Sequence, residues 1–565
     1  MNKRIFWIIG IILVAAIIVV SYILLTDTEI QIDIAGISED QDYIYVEGLV
    51  GSFQRLNPLL DYLNPVDRDV NRLIFNGLVK FDQWGNPIPD LAQAWNVNLN
   101  GDVFNVTLKE GVLWHDGMPF TTEDVVFTIN LLQNPEIPIP EDISALWSEV
   151  EVIVFDELNM QFILPEPYIP FTDYLAFGVL PEHALSGRSA DEVMNGDFNF
   201  APIGTGPYKF VNLEIINDKV IKLELERNED HFAELGEIKY INFLYFNDHI
   251  SAYAAYQNNE ILGISSINSE IFDETFSDPD LNIYSAICPE LRIMIFNLDR
   301  DLAPYLNDQT LRQALYYGLN RDNMIGEVLN GQAVKATGPI SPNSWAYYSN
   351  VEKYEFDPIS AAAMLDSSGF IVSSESGGIR EKDGLLISFE MVYQDTEEHQ
   401  VIAEMIKEYW GDLGIEVNLT AVGYDSLIND YLDPRDFDVA LIDLSLGSTA
   451  DPDPYPFWHQ AEAHTGQNYS NWDDRRGSEY LERARVTPNK LERERQYRNF
   501  QSHFSLELPS LPLYYPVYTY AVVEQVGGIN IGSVFSASDR FNKVSEWYWN
   551  LEVEEEPTQI IETEE

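Results

Sequence analysis

Val401-Ile402-Ala403-Glu404-Met405-Ile406-Lys407-Glu408-Tyr409-Trp410-Gly411-Asp412-Leu413-Gly414-Ile415-Glu416-Val417-Asn418-Leu419 is the run whose reading decides the fold class. Val401, Ile402, Met405, Ile406, Tyr409 and Leu413 recur at helical spacing and draw one apolar stripe along a helix. Gly414 ends that helix, since glycine takes the left-handed terminal conformation without steric penalty. Residues 415–419 then alternate apolar and polar side chains with the period of a strand. Helix, glycine and alternating strand in succession are the unit of an α/β lobe.

The same reading extends outward. Asp357-Pro358 opens another helix with proline at its first position, Ala361, Met364 and Leu365 form its apolar stripe, and Gly369 stops it. Further upstream, Thr121-Thr122-Glu123-Asp124 reads as a capping box with Thr121 as N-cap and Asp124 reaching back. Its helix carries Val125, Val126, Ile129 and Leu132 on one face and must stop before Pro135. Tyr43-Ile44-Tyr45-Val46 is a β-rich run that begins the folded part. The basic island from Arg475 to Arg498 is interleaved with Glu479, Glu482, Glu492 and Glu494, the pattern of a solvated helix with internal ion pairs.

The ends differ from this body. Lys3 and Arg4 precede an uncharged apolar run from Ile5 to Leu25, close to the roughly 20 residues a helix needs to cross a bilayer. The flank Ser21-Tyr22-Ile23-Leu24-Leu25-Thr26-Asp27 has no small-residue cleavage site, and no cysteine stands near it for a lipid. We read residues 1–25 as an uncleaved transmembrane anchor with a cytoplasmic N-terminus, the alternative being a cleaved signal peptide. Residues 26–42 read as a polar tether, and 549–565 as an acidic, disordered tail.

Composition narrows the function. With 45% hydrophobic and 13% aromatic residues the chain builds real cores. At 565 residues it exceeds one ordinary domain and suffices for two lobes. A single cysteine, Cys288, excludes an internal disulfide framework and a cysteine-rich metal cluster. The net charge of −59 argues against nucleic acid as a partner. Such a field steers cationic or zwitterionic solutes, although it equally keeps an exported surface soluble.

Nothing assembles into a catalytic set. In Trp114-His115-Asp116-Gly117 the imidazole and carboxylate are sequence neighbours, which on a strand face opposite ways, so a tight turn is the better reading. His459 and His464 lack the spacing of a zinc helix. Asp451-Pro452-Asp453-Pro454 pairs two carboxylates, yet its prolines favour an extended rigid loop over a calcium site. Gly204-Thr205-Gly206-Pro207 lacks the Lys-Ser/Thr of a phosphate loop. The expectation is a binding protein with no cofactor, and not an enzyme.

Taken in order, the motifs are more specific than any one of them. They run from Leu56-Asn57-Pro58-Leu59 through Leu73-Ile74-Phe75-Asn76-Gly77-Leu78-Val79, Pro89-Asp90-Leu91-Ala92 and Ala94-Trp95 to the stretch Phe104–Val125. Gly204-Thr205-Gly206-Pro207-Tyr208, Arg227-Asn228, Leu311-Arg312-Gln313-Ala314-Leu315 with Asn320-Arg321, Tyr469-Ser470-Asn471 and Leu511-Pro512-Leu513-Tyr514 follow. Over residues 43 to 525 the chain resembles the family 5 extracellular solute-binding proteins of oligopeptide, dipeptide and nickel ABC importers.

The resemblance implies a two-lobed, periplasmic-binding-protein-like α/β fold of type II, in the large cluster with an extra subdomain in the first lobe. It implies lobe I over 43–290 with that subdomain at about 71–199, lobe II over 291–515, and a return to lobe I over 516–548. The chain should cross near Leu291–Asn297 and return near Leu506–Tyr515. Hinge closure would bury a peptide for delivery to permease subunits, with the receptor extracellular or periplasmic and monomeric. In the family, an acid before a D-P or E-P pair anchors the peptide ammonium; here that place falls to Ser448 in Leu446-Gly447-Ser448-Thr449, with Asp443 or Asp451 as substitutes. The family's first-strand loop points to Gly51, Ser52 and Phe53 as cleft residues, and Trp345, Tyr424 and Trp458 are candidate aromatic walls. The serine leaves open a non-peptide solute such as an oligosaccharide. A ligand-sensing module and an extracellular hydrolase are the readings from other classes.

Overall fold

The computed structural model describes residues 44–299, 301, 303–372, 377–447 and 449–550. The expected membrane anchor, the tether and all but the start of the acidic tail fall outside them, as does Ser448. Among the described residues no helix is long and apolar enough to cross a membrane.

Two sheets share one strand. In the first, Ile44–Val50 runs parallel to Tyr240–Phe246 on one side and to Gly263–Ile264 on the other. Lys219–Arg227 and Tyr208–Ile216 extend that sheet antiparallel. In the second, Ser388–Gln394 lies parallel to both Glu416–Val422 and Val439–Ser445, and Val439–Ser445 pairs antiparallel with Glu290–Phe296. The long strand Ser510–Val523 belongs to both: Ser510 to Tyr514 pair with Ile295 to Arg292, and Val517 to Val523 pair with Ile287 to Leu281. Pro289 and Pro516 bring no N–H to the ladder at the changeover, where Cys288 N–H donates to the Pro516 carbonyl at 2.8 Å. The stretches read as crossings, Leu291–Asn297 and Leu506–Tyr515, lead into this changeover from the second lobe's side.

The second lobe is covered on both faces of its sheet. Along Glu290–Phe296, Met294 and Phe296 face a core with Phe389, Ile402 and Trp410, while Leu291, Ile293 and Ile295 face another with Tyr497, Phe500 and Phe504. Such double burial explains the nearly continuous apolar run of Val439–Leu444. The first lobe has a single core that takes in Tyr45, Phe104 and Phe243 and, from the far end of the chain, Tyr520 and Trp547. Within the 71–199 stretch a four-stranded antiparallel sheet (Ala92–Val97, Val103–Leu108, Asn159–Ile163, Glu151–Val154) packs onto that core.

Local signals act as their chemistry dictates. Thr121 and Asp124 close a reciprocal capping box. Asp357 caps its helix by accepting Ser360 N–H at 2.9 Å, and Gly369 and Gly414 sit at φ +83° and +80°. The apolar stripe of Glu397–Asp412 is rotated from the expected one. His399, Ile402, Ala403, Ile406 and Trp410 point inward, and Val401 is 44% exposed. Trp410 sets this rotation by filling the core and donating to the Leu315 carbonyl at 3.0 Å.

The Trp114–Gly117 motif is a tight turn, closed by Gly117 N–H to the Trp114 carbonyl at 2.8 Å. His115 rivets it to the Gly204-Thr205-Gly206 loop: its Nδ1 accepts Gly204 N–H at 3.2 Å and its Nε2 lies 3.0 Å from the Gly206 carbonyl. Burial pushes the imidazole down to about 4, so it stays neutral at physiological pH. Gly204 presses so closely on the end of the Pro65–Ile74 helix that a Cβ there would lie 1.9 Å from the Ile74 carbonyl oxygen. Gly204→Ala must therefore displace backbone, at about 1–3 kcal/mol. A lowered urea midpoint is expected, and an unchanged one would show that the loop is free to retreat.

Candidate ligand-binding cleft

A cavity of about 1200 Å³ lies between the lobes. Its first-lobe wall includes Asp90, Asp173, Tyr174 and Phe177, its second-lobe wall Tyr424, Asp443, Thr449, Phe457 and Tyr469, and its floor the changeover residues Cys288, Pro289 and Glu290. Burial, followed by the charge of Glu290, pushes the Cys288 thiol up to about 12, which makes it inert as a nucleophile.

Strand register builds the charged part of this wall. Arg292 stands opposite Asp443 on one neighbouring strand and opposite Tyr514 on the other, which aligns the three in one row. Arg292 pairs with Asp443 and with Glu398 (2.8 Å), and its Nη1 lies 2.7 Å from His399 Nε2. Tyr514 also donates to Glu398, at 3.2 Å. Three carboxyls, Glu290, Asp443 and Glu398, thus surround one guanidinium. Burial, followed by the negative charge of Asp443, pushes Glu290 up to about 7.

Across the cleft, Asp173 is 8% exposed and accepts Asp451 N–H at 2.6 Å, a contact between lobes. Burial, followed by the Asp451 charge, raises its carboxyl to about 8. Tyr168 of the first lobe likewise donates to Asp453 at 3.2 Å.

The Asp451–Pro454 loop is an ion-pair hub. Asp451 is 5% exposed, pairs with Arg493 and accepts from Tyr497 OH at 2.8 Å. Asp453 receives Arg485 at 2.8 and 2.9 Å, and the guanidinium stacks 3.7 Å over the Tyr455 ring. The basic island is accordingly two helices, Arg475–Val486 and Lys490–Glu507. Arg475, Arg483, Arg495 and Arg498 make the expected surface pairs with glutamates, while Arg485 and Arg493 turn inward. His459 is a packed side chain, stacked 3.9 Å from Tyr455 and 3.1 Å from Glu482. Among the described residues no group of three or more His, Cys, Asp or Glu could hold a metal ion.

The residues expected at the cleft divide accordingly. Tyr424, Asp443, Gly447 and Thr449 line the cavity, and Tyr424 is 62% exposed. Seven others stand elsewhere. Gly51 donates its N–H to the Phe246 carbonyl, the Ser52 carbonyl accepts from Asn64, and Phe53 packs on Phe200 and Tyr245. Trp345 packs on Tyr497 beneath Lys490 and Arg493. Trp458 is 1% exposed against Phe504, Leu446 ties its N–H to the Pro289 carbonyl, and Asp451 is committed to Arg493. Asp173 and Glu290 are among the cavity carboxyls that motif reading did not single out, with Asp61, Asp142, Glu234 and Asp539. Asp173 has no local signal, and Glu290 is marked only by the preceding Cys288-Pro289 break.

Asp451→Ala would strand the Arg493 charge in the second lobe. A loss of roughly 3–5 kcal/mol is expected from removing one partner of a buried pair, read in chemical denaturation. Unchanged stability accompanied by lost ligand binding would instead make Asp451 a ligand contact.

A sequence model of the bacterial extracellular solute-binding proteins, family 5 Middle, matches residues 86–467. The chain is similar to the oligopeptide-binding protein AppA of Bacillus subtilis, 25% identical over 495 residues covering 86% of this chain and 88% of that one. It is also similar to the dipeptide-binding protein of Escherichia coli, 25% identical over 506 residues, with 85% and 90% covered. Among solved structures, NikZ of Campylobacter jejuni in complex with Ni(L-His) superposes with a TM-score of 0.66 at 26% identity, covering 89% of this chain and 99% of that one.

Proposed function

We propose that this chain, which belongs to the bacterial extracellular solute-binding proteins of family 5, is the receptor of an ABC importer and captures peptides between its two lobes. The observation that carries this reading is the cavity of about 1200 Å³ between the lobes. It exceeds the roughly 300–1,000 Å³ that enclose a drug-sized ligand and suits an extended oligopeptide. Tyr174, Phe177, Tyr424, Phe457, Tyr469 and Phe535 give it aromatic surface for varied side chains. The relatives named for oligopeptide and dipeptide binding support the same solute class.

In this reading the lobes rotate about Cys288-Pro289 and Pro516, a hinge closure in which ligand shifts a pre-existing open–closed equilibrium. The protein works by binding and release, as a monomer, and its closed form docks on membrane permease subunits. The apolar run from Ile5 to Leu25 holds the receptor at the outer face of the cell membrane.

Native mass spectrometry of the full-length chain, purified from cells grown in rich medium, tests the solute class. A distribution of bound peptides, displaced by added peptide, is the expected result. A single non-peptide mass that peptides never displace would overturn the peptide assignment.

A further inference from the structure

The chain holds three Asn-x-Ser/Thr tripeptides, Asn105-Val106-Thr107, Asn418-Leu419-Thr420 and Asn468-Tyr469-Ser470. On an exported protein this is the acceptor pattern for an N-linked glycan. The fold closes two of the three. Asn105 lies on the inner strand Val103–Leu108, between Ala92–Val97 and Asn159–Ile163. Its Nδ2 donates to Asn96 at 3.1 Å, its Oδ1 accepts Gln161 at 2.7 Å, and the Thr107 hydroxyl donates to Asn159 at 3.0 Å. Asn468 and Ser470 are both wholly buried. The Asn468 amide donates to the His459 and Trp472 carbonyls at 3.1 and 3.0 Å, and the Ser470 hydroxyl donates to Asn468 Oδ1 at 2.7 Å. A sugar on either asparagine would break these bonds. Asn418 is exposed, and among the described residues its amide meets no hydrogen-bond partner. The Thr420 hydroxyl makes one surface bond, to Glu390 at 2.6 Å.

The strand that carries Asn418 is itself unusual. Glu416–Val422 stands at one edge of the large sheet and pairs only with Ser388–Gln394. All seven of its residues pair in unbroken register. At the opposite edge, Tyr208–Ile216 is interrupted twice by register shifts. An open edge is a template for another chain, and bulges, prolines and lysines are the usual means of blunting it. Glu416–Val422 has no proline, lysine or arginine, and no bulge. Val417 turns into the core at 3% exposure, so Glu416 and Asn418 turn outward.

We propose that Asn418 carries an N-linked glycan and that this glycan covers the open edge of the second-lobe sheet. An incoming strand would have to settle about 4.8 Å from Glu416–Val422, in the space that a bulky, hydrated oligosaccharide rooted at Asn418 sweeps. The transfer forms a bond between Asn418 Nδ2 and the anomeric carbon of an oligosaccharide carried on a lipid diphosphate. The anomeric C–O bond breaks, the amide loses one proton, and the lipid diphosphate departs. This rests on the reading of the chain as an exported receptor, since the modification belongs to the outer face of the membrane. Asn418 does not line the cavity between the lobes, so the glycan leaves ligand capture untouched.

The test is peptide mapping by mass spectrometry of the full-length chain purified from the cells that naturally make it. Before treatment with an amidase that converts glycosylated asparagine to aspartate, the peptide holding Asn418 is expected to carry a glycan mass. Afterwards it should hold aspartate at 418, with Asn105 and Asn468 bare throughout. Asn418→Gln removes no packed contact, so it should keep the melting temperature, lose the glycan mass and self-associate in light scattering where the glycosylated chain stays monomeric. A variant that stays monomeric would overturn the covering role. A bare Asn418 in a chain whose receptor part is cut by protease added to intact cells would overturn the inference and leave the receptor reading intact. A bare Asn418 in a chain that such a protease cannot reach would overturn both.

Discussion

The arrangement depends on one strand serving two sheets. Ser510–Val523 pairs with Glu290–Phe296 in one lobe and with Leu281–Ile287 in the other, so the lobes are continuous through hydrogen-bonded backbone and cannot drift apart. Between the two pairings lie Cys288-Pro289 and Pro516, where proline supplies no N–H to the ladder. Glu290 and Arg292 stand beside this changeover. The Asp173 to Asp451 and Tyr168 to Asp453 contacts span the lobes. A ligand shifts an equilibrium only by its differential affinity for the two states. A ligand that touches both walls of the cavity is the kind able to favour one arrangement of the lobes over another.

The few cations of this chain are largely spent on architecture. Against 92 acidic residues it has 33 Lys and Arg. Arg540, fully buried, joins Glu47 of the first strand to Asp69 of the Pro65–Ile74 helix. It ties the returning C-terminal segment to the chain's first strand. Arg312 satisfies the carbonyls of Leu306, Glu507 and Leu508, and Arg321 those of Ala336 and Tyr354. Arg485 and Arg493 hold the Asp451–Pro454 loop rigid at the cleft rim. A buried charge is tolerated only when it is paired or hydrogen-bonded, and these arginines are.

Fold class was legible because α/β units are written locally. The capping box at Thr121, the proline start at Pro358 and the glycine stops at Gly369 and Gly414 each depend on a few adjacent residues, and each acts in the structure as its chemistry dictates. Helix facing was less legible. Val401 and Trp410 exchange their expected roles because a neighbouring helix offers the Leu315 carbonyl to the indole, a tertiary contact that periodicity does not contain. The basic island failed in the same way: spacing captured its surface pairs, but not the carboxylates from a distant loop that turn Arg485 and Arg493 inward.

The candidate site was the least legible part, for a reason that separates family from specificity. The most diagnostic motifs, around Trp114–Gly117 and Gly204–Tyr208, are bound chiefly to each other and to the Pro65–Ile74 helix, and His115 and Gly204 stay outside the cavity. They mark the scaffold because close backbone approach admits few substitutes. The ligand wall comes instead from register between strands far apart in sequence, which sets Arg292, Asp443 and Tyr514 in one row and brings Asp173 against a loop 278 residues away. No local pattern encodes such a juxtaposition.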